Sequence, residues 1–192
     1  MQHYIYKMFT RFGQIFWGMM LVILDFSIKL NTNSSIIRID ILPDIIGYVL
    51  VAVGCAGLSG VSRHFSTASI LSWILATFTL IPYALQGSTA HGFGFLNIMV
   101  ECTMTWFLLG GVMELTAAQE RMDLSRKAAN RRIAYVALMC IAALARFVVQ
   151  GSQNATATMV VVVLSICNLT LWFLILHLIH RVKHELTNDR AA

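Results

Sequence analysis

The chain has 192 residues, of which 58% are hydrophobic and 12% charged, whereas an ordinary soluble domain is about 25% charged. A water-soluble fold of this length could not hide so much apolar surface, so lipid must solvate much of it, as the mean hydropathy of +0.73 also indicates. The net charge of +5 does not mark a nucleic-acid binder, because the basic residues are segregated between loops instead of lining one soluble face.

Lys7 and Arg11 precede an apolar stretch from Ile15 to Leu24. No small-x-small cleavage pattern follows, so the stretch reads as an uncleaved first membrane helix over approximately 12–28. Gln14 and Asp25 interrupt it, and a helix lying at the interface is the alternative. Further apolar runs occupy approximately 43–62, 66–85, 93–117, 133–150 and 158–179. Each approaches or exceeds the roughly 17–25 residues that cross a bilayer as helix. The expected fold is all-α, a polytopic bundle of six transmembrane helices in one integral-membrane domain spanning 1–192.

The loops set the orientation. Lys7, Arg11, Arg63, Arg121, Arg126, Lys127, Arg131, Arg132, Arg181, Lys183 and Arg190 fall on one side, and only Lys29 and Arg38 on the other. Arg146 is left inside the fifth helix. The positive-inside rule then puts both termini in the cytoplasm.

"IDILPDIIGY", residues 39–48, lies on the opposite side, where the second helix enters the membrane. Pro43 suits a first helical turn, Asp44 faces the positive end of the helix dipole, and Asp40 can cap it. The preceding "IRIDI" alternates apolar and polar residues, as a short extended piece does. With "LVILDFSI" of the first helix, the segment "DILPDIIGYVLVAVGCAGLS" resembles uncharacterised bacterial polytopic membrane proteins that carry a Leu-Pro-Asp-x-x-Gly-Tyr run after their first helix. The resemblance covers roughly residues 18–62 and marks Asp25, Pro43, Asp44, Gly47 and Tyr48. It implies a bacterial cytoplasmic (inner) membrane and no particular reaction.

Ionisable residues at membrane depth carry the sharpest signal, since each unpaired one costs roughly 2.5–3.5 kcal/mol near a helix centre. Asp25, Glu101 and Arg146 all fall in the extracytoplasmic half of the expected bundle. Gln14, Gly18, Leu21 and Asp25 form one helical stripe, Asn97, Glu101 and Thr105 a second, and Arg146 with Gln150 a third. Pairing of Glu101 with Arg146, joined by Asp25, would offset much of the insertion cost. Asp25, Glu101, Arg146, Asn97, Asp44 and Tyr48 are therefore the candidate polar cluster, either a structural ion pair or a solute or proton site.

Ala52, Ala56 and Gly60 repeat every four residues on the second helix, a small-residue face suited to a neighbouring helix, a second copy or a membrane partner. "GLSG" at 57–60 matches the Gly-x-Ser-Gly of rhomboid-type proteases, but Ser59 falls on the second helix near its cytoplasmic end and no Trp-Arg loop accompanies it. His177, His180 and His184 share a helix face with spacing that suits a divalent metal only weakly, and interfacial anchoring explains them better. The four cysteines lie in apolar runs without metal spacing. No catalytic residue, cofactor motif or nucleic-acid partner is expected. Two functions follow from this reading: binding or transport of a small solute or proton through the cluster, or a non-catalytic structural or interaction subunit.

The basic asymmetry predicts that, in a cysteine-free background, cysteines near Ala90 and Gln153 label with an impermeant reagent from outside the cell. One near Ala128 should stay unlabelled until the membrane is opened. Labelling near Ala128 in intact cells reverses the orientation.

Overall fold

A computed structural model describes residues 2–24, 29–32, 35–38, 41–80, 90–149 and 155–188, with side chains placed over 8–24, 44–80, 96–145 and 159–185. Among these residues lie six helices and one hairpin. The helices are α1 (Gln2–Ile23), α2 (Ile41–Leu58), α3 (Arg63–Phe78), α4 (Ala90–Ala118), α5 (Met122–Val149) and α6 (Ala155–Asn188). The strands β1 (Lys29–Thr32) and β2 (Ser35–Arg38) pair antiparallel between α1 and α2, with Lys29 opposite Arg38 and Thr32 opposite Ser35. Of the expected extended piece "IRIDI", Ile37 and Arg38 lie in β2, Ile41 already begins α2, and residues 39 and 40 lie outside the described residues.

Among the described residues, three helical stretches are long and apolar enough to cross a membrane: Leu96–Ala118, Met122–Ala145 and Met159–Glu185. At 1.5 Å per residue, α2 and α3 are about 27 and 24 Å long, slightly under the hydrocarbon thickness of about 30 Å. The apolar parts of α1 and α2, Met8–Ile23 and Asp44–Leu58, are shorter than the three long stretches. All six helices begin before the apolar run that signals them, since polar residues at an interface still extend a helix.

The largest departure from the sequence pattern is at the α4–α5 junction. The basic stretch 119–132 has the composition of a connector, yet α5 begins at Met122, so Arg126, Lys127, Arg131 and Arg132 ride on the helix. The turn is short because the end of α4 closes on itself. The Glu120 amide donates to the Ala117 carbonyl at 3.0 Å, and the Arg121 amide to the Thr116 carbonyl at 2.9 Å. Glu120 takes a φ of 60°, the left-handed position that usually falls to glycine in this terminal motif. Arg121 and Arg181 both pair with Glu185, and both approach Asp123, at 3.7 and 3.9 Å, tying the junction to α6.

Each helix packs on its neighbours in sequence, and α6 returns to pack on α1, so the six close into a ring. The tightest seam is α1 against α2. A Cβ on Gly18 would stand 2.6 Å from the Gly47 carbonyl oxygen, and one on Gly47 would stand 2.8 Å from the Gly18 carbonyl oxygen. Gly54 meets the Arg11 carbonyl in the same way, and Gly57 meets the Arg11 side chain. The close approach therefore runs along Gly47, Gly54 and Gly57. On the other small-residue face, Ala52 is buried with its carbonyl accepting from Ser69 Oγ at 2.8 Å, Ala56 is exposed, and Gly60 has open space around it. Inside the ring, Phe65 lies on Gly111 and meets the Phe12 ring edge-on at 6.2 Å, while Tyr135 meets Trp172 at 5.6 Å.

Contacts between helix ends give the ring two distinct poles. Arg11 lies by Gly57, Lys183 by Gly13, Ser62 Oγ donates to Glu114, and Arg121 pairs with Glu185. One pole therefore gathers the start of α1, the α2–α3 and α4–α5 turns and the end of α6, with most of the placed basic residues. Gly18→Ala should lower stability by about 1–3 kcal/mol through over-packing of the α1–α2 seam, read as an earlier thermal transition in detergent. An unchanged transition would mean that the two backbones are not in contact.

Candidate functional site

Away from the basic pole, α2, α4 and α5 bring polar groups into an otherwise apolar interior. Asp44 and Tyr48 are one turn apart on α2, on either side of the contact that Gly47 makes with α1. Glu101 comes from α4 and Tyr135 from α5. Asp44 and Glu101 are close enough to act on one another electrostatically, and both act on Tyr48. Glu101 and Tyr48 in turn act on Tyr135. Glu101 is half-buried, Tyr48 is buried, and Tyr135 is wholly enclosed.

Three oxygens around this group stand out. Asn97 Oδ1, Thr105 Oγ1 and Tyr135 OH have no contact with solvent and no hydrogen-bond partner of ordinary geometry among the described residues. Asn97 and Thr105 lie one turn to either side of Glu101 on α4, each about 6 Å from it along the axis. The Thr105 and Tyr135 hydroxyls are within interaction range of each other, but neither completes a normal bond. Threonine in a helix commonly satisfies its hydroxyl by donating to the carbonyl four residues back. Thr103 does so to Met99, Thr116 to Val112 and Thr170 to Ile166, each at 2.8 or 2.9 Å. Thr105 does not. An unsatisfied buried polar group costs about 1–3 kcal/mol, so this concentration of them around one carboxyl group is a costly local choice.

Of the residues marked by sequence, Asp44, Tyr48 and Glu101 come together here, and Asn97 lies on the same face of α4 as Glu101. Asp25 and the Arg146 side chain lie outside the described residues, so the pairing of Glu101 with Arg146 has no geometry to report. Tyr135 is a member that the sequence argument passed over. Its signal was a lone hydroxyl-bearing side chain in the apolar run "IAYVALMC", which when buried calls for a polar neighbour.

The remaining candidates have other surroundings. His180 and His184 lean together at 4.5 Å between ring centres, His180 against Phe16 and His184 against Phe9, along the seam between α1 and α6. Among the described residues, no group of three histidine, cysteine, aspartate or glutamate side chains is placed to hold a metal, so His177, His180 and His184 do not form one. The cause is that one helix face alone presents them. Ser59 is exposed and donates to the Ala56 carbonyl at 2.8 Å, an ordinary local bond at a helix end. A cleft of 330 Å³ beside it is lined by Met8, Arg11 and residues 56–61, with Arg11 donating to Gln14 Oε1 at 3.0 Å. It lies at the basic pole, away from the acidic cluster. There, too, the Arg132 guanidinium stacks 3.5 Å from the centre of the Trp106 ring.

Two acidic side chains, two phenols, a hydroxyl and an amide form an oxygen-rich group, with the Cys102 thiol in electrostatic range of Glu101 and Tyr135. Such a group can hold a proton or accept a cation. No protein-family model matches this chain, and neither does any curated protein or solved structure.

Coupling between Asp44 and Glu101 predicts that Asp44→Asn and Glu101→Gln are not additive. A double-mutant cycle on thermal or denaturant stability should show an interaction of about 0.5 kcal/mol or more. Additive effects would separate the two carboxyl groups.

Proposed function

We propose that this chain is a multi-pass protein of the bacterial inner membrane, with six spans and both termini cytoplasmic, that binds or moves a proton or small solute through the Asp44–Glu101 cluster. The observation that carries this reading is that α2 and α4 bring Asp44 and Glu101 into electrostatic range of one another within a ring of apolar helices. Two carboxyl groups that share a low-dielectric site disfavour the doubly charged state, which favours uptake of a proton or another cation there. A bundle that needed only helix register could obtain it from apolar packing at lower cost.

The six-span topology draws support from three stretches of full spanning length and from a ring in which successive helices run to and fro. The gathering of basic residues at one pole agrees with a cytoplasmic face there. Asp44 and Glu101 then sit in the outer half, with Glu101 about 20 Å along α4 from Glu114 at the basic pole. The competing reading, a structural or interaction subunit, has Glu101 held as an ion by Arg146 and the open Ala56–Gly60 face covered by a partner helix.

A hydrophobic carbodiimide separates the two, because it modifies only a protonated carboxyl group in apolar surroundings. The proposed site requires modification of the peptide containing Glu101 in the intact membrane-embedded protein, lost in Glu101→Gln. A Glu101 that stays unmodified from acid to neutral pH is a permanently paired ion, and the structural reading then stands.

A further inference from the structure

Resting on the membrane placement proposed above, but not on the Asp44–Glu101 cluster, we infer that Arg132, Trp106 and His64 form a binding site for the phosphate of an anionic phospholipid at the cytoplasmic edge of the bundle. The Arg132 guanidinium stacks 3.5 Å from the centre of the Trp106 ring. Stacking occupies the face of the guanidinium and leaves its edge, where its N–H donors point. Among the described residues those donors are unused. Nε is enclosed without a partner, and the terminal nitrogens, which reach the surface, make no hydrogen bond or ion pair. The other arginines nearby differ in this respect. Arg131 donates to the Leu174 carbonyl, and Arg121 and Arg181 share Glu185.

A second donor faces the same place. A Cβ on Gly110 would lie 3.5 Å from Arg132 Cζ and 3.4 Å from His64 Nδ1, so these two atoms are no farther apart than those distances combined. His64 comes from α3 and Arg132 from α5, and Gly110 of α4 leaves the space between them without a side chain. Two hydrogen bonds of about 2.8 Å to different oxygens of one phosphate span such a separation. The His64 ring rests against Phe107 at 5.7 Å, and its nitrogens have no hydrogen-bond partner among the described residues. Along α4 the carboxylate nearest in sequence to Gly110 is Glu114, one turn on, and it accepts from Ser62 Oγ.

Depth selects a lipid as the source of the phosphate. Arg132 is the last basic residue of α5 before an apolar run from Ile133 to Ala145. Headgroup phosphates lie at such a border on the cytoplasmic side, and tryptophan favours the same level. Ile133, Ile141 and Leu144 are strongly exposed along α5 and provide an apolar track for the acyl chains.

The test is native mass spectrometry of the full chain in detergent, titrated with phosphatidylglycerol or phosphatidylcholine, with inorganic phosphate as competitor. Phosphatidylglycerol should bind about tenfold more tightly than phosphatidylcholine, whose own cation offsets its phosphate. Arg132→Gln should weaken phosphatidylglycerol binding about tenfold. Arg132→Lys keeps a cation over the ring without the paired donors, and His64→Phe keeps a ring beside Phe107 without a donor; each should weaken binding severalfold. Arg126→Gln removes an exposed cation of the same helix and should leave binding nearly unchanged. Equal losses in Arg126→Gln and Arg132→Gln overturn the site in favour of a diffuse basic surface. Equal affinity of the wild-type chain for the two lipids overturns it as well. Displacement of phosphatidylglycerol by millimolar inorganic phosphate overturns the lipid as the source. A chain that stays in solution without detergent overturns the membrane placement and this inference with it, whereas an unreactive Glu101 leaves this inference untouched.

Discussion

The contact of α1 with α2 at Gly18 and Gly47 sets the position of the rest of the interior. With hydrogen atoms in place of side chains, each backbone reaches the other's carbonyl, an approach that gains dispersion contacts in lipid, where apolar surface gains little from mere association. This contact fixes the rotation of α2. With Gly47 turned toward α1, the neighbouring Asp44 and Tyr48 are carried into range of Glu101 on α4. A side chain at either glycine would move α2 outward and with it the acidic pair.

The ring has a division of labour between its poles. The basic pole is held by polar bonds that close on themselves: Ser62 both caps α3 and donates to Glu114, while Glu185 takes two arginines. These groups have partners nearby and need nothing from outside. The acidic cluster is built in the opposite way: Asn97, Thr105 and Tyr135 carry enclosed oxygens without a hydrogen-bond partner of ordinary geometry among the described residues. Between the two lies the aromatic packing of Phe12 and Phe65 on Gly111. The chemical interest therefore concentrates in the cluster, where the structure keeps polar groups at a cost.

The lipid-facing surface follows from the same arrangement. Along α6, Met159, Val162, Val163, Ile166 and Phe173 are all strongly exposed, while Ile175, Leu178, Ile179 and Val182 near its end are buried against the ring. One helix thus changes from a mostly exposed apolar rod to a packed strut along its length. Arg131 of α5 fastens the changeover by donating to the Leu174 carbonyl.

Helical character and the three long apolar stretches were legible in the amino-acid sequence, and Glu101, Asp44 and Tyr48 stood out there by their setting. Hydropathy and helical periodicity are local properties, and a carboxyl group in an apolar run stands out without any knowledge of its neighbours. The α4–α5 connection was misleading for a local reason too: charged residues favour solvent, but Arg126 to Arg132 reach it equally well from a helix. What only the tertiary structure decided was partnership. Gly47 and Gly54, not the Ala52–Ala56–Gly60 repeat, form the seam with α1, because the choice between two small-residue faces depends on which face the opposing helix can fit. Tyr135 joined the cluster because α5 turns it inward next to Thr105, and the spacing of residues thirty positions apart carries no trace of that meeting. The sequence supplies the charges and the helices, and the angle at which the helices pack determines which of those charges meet.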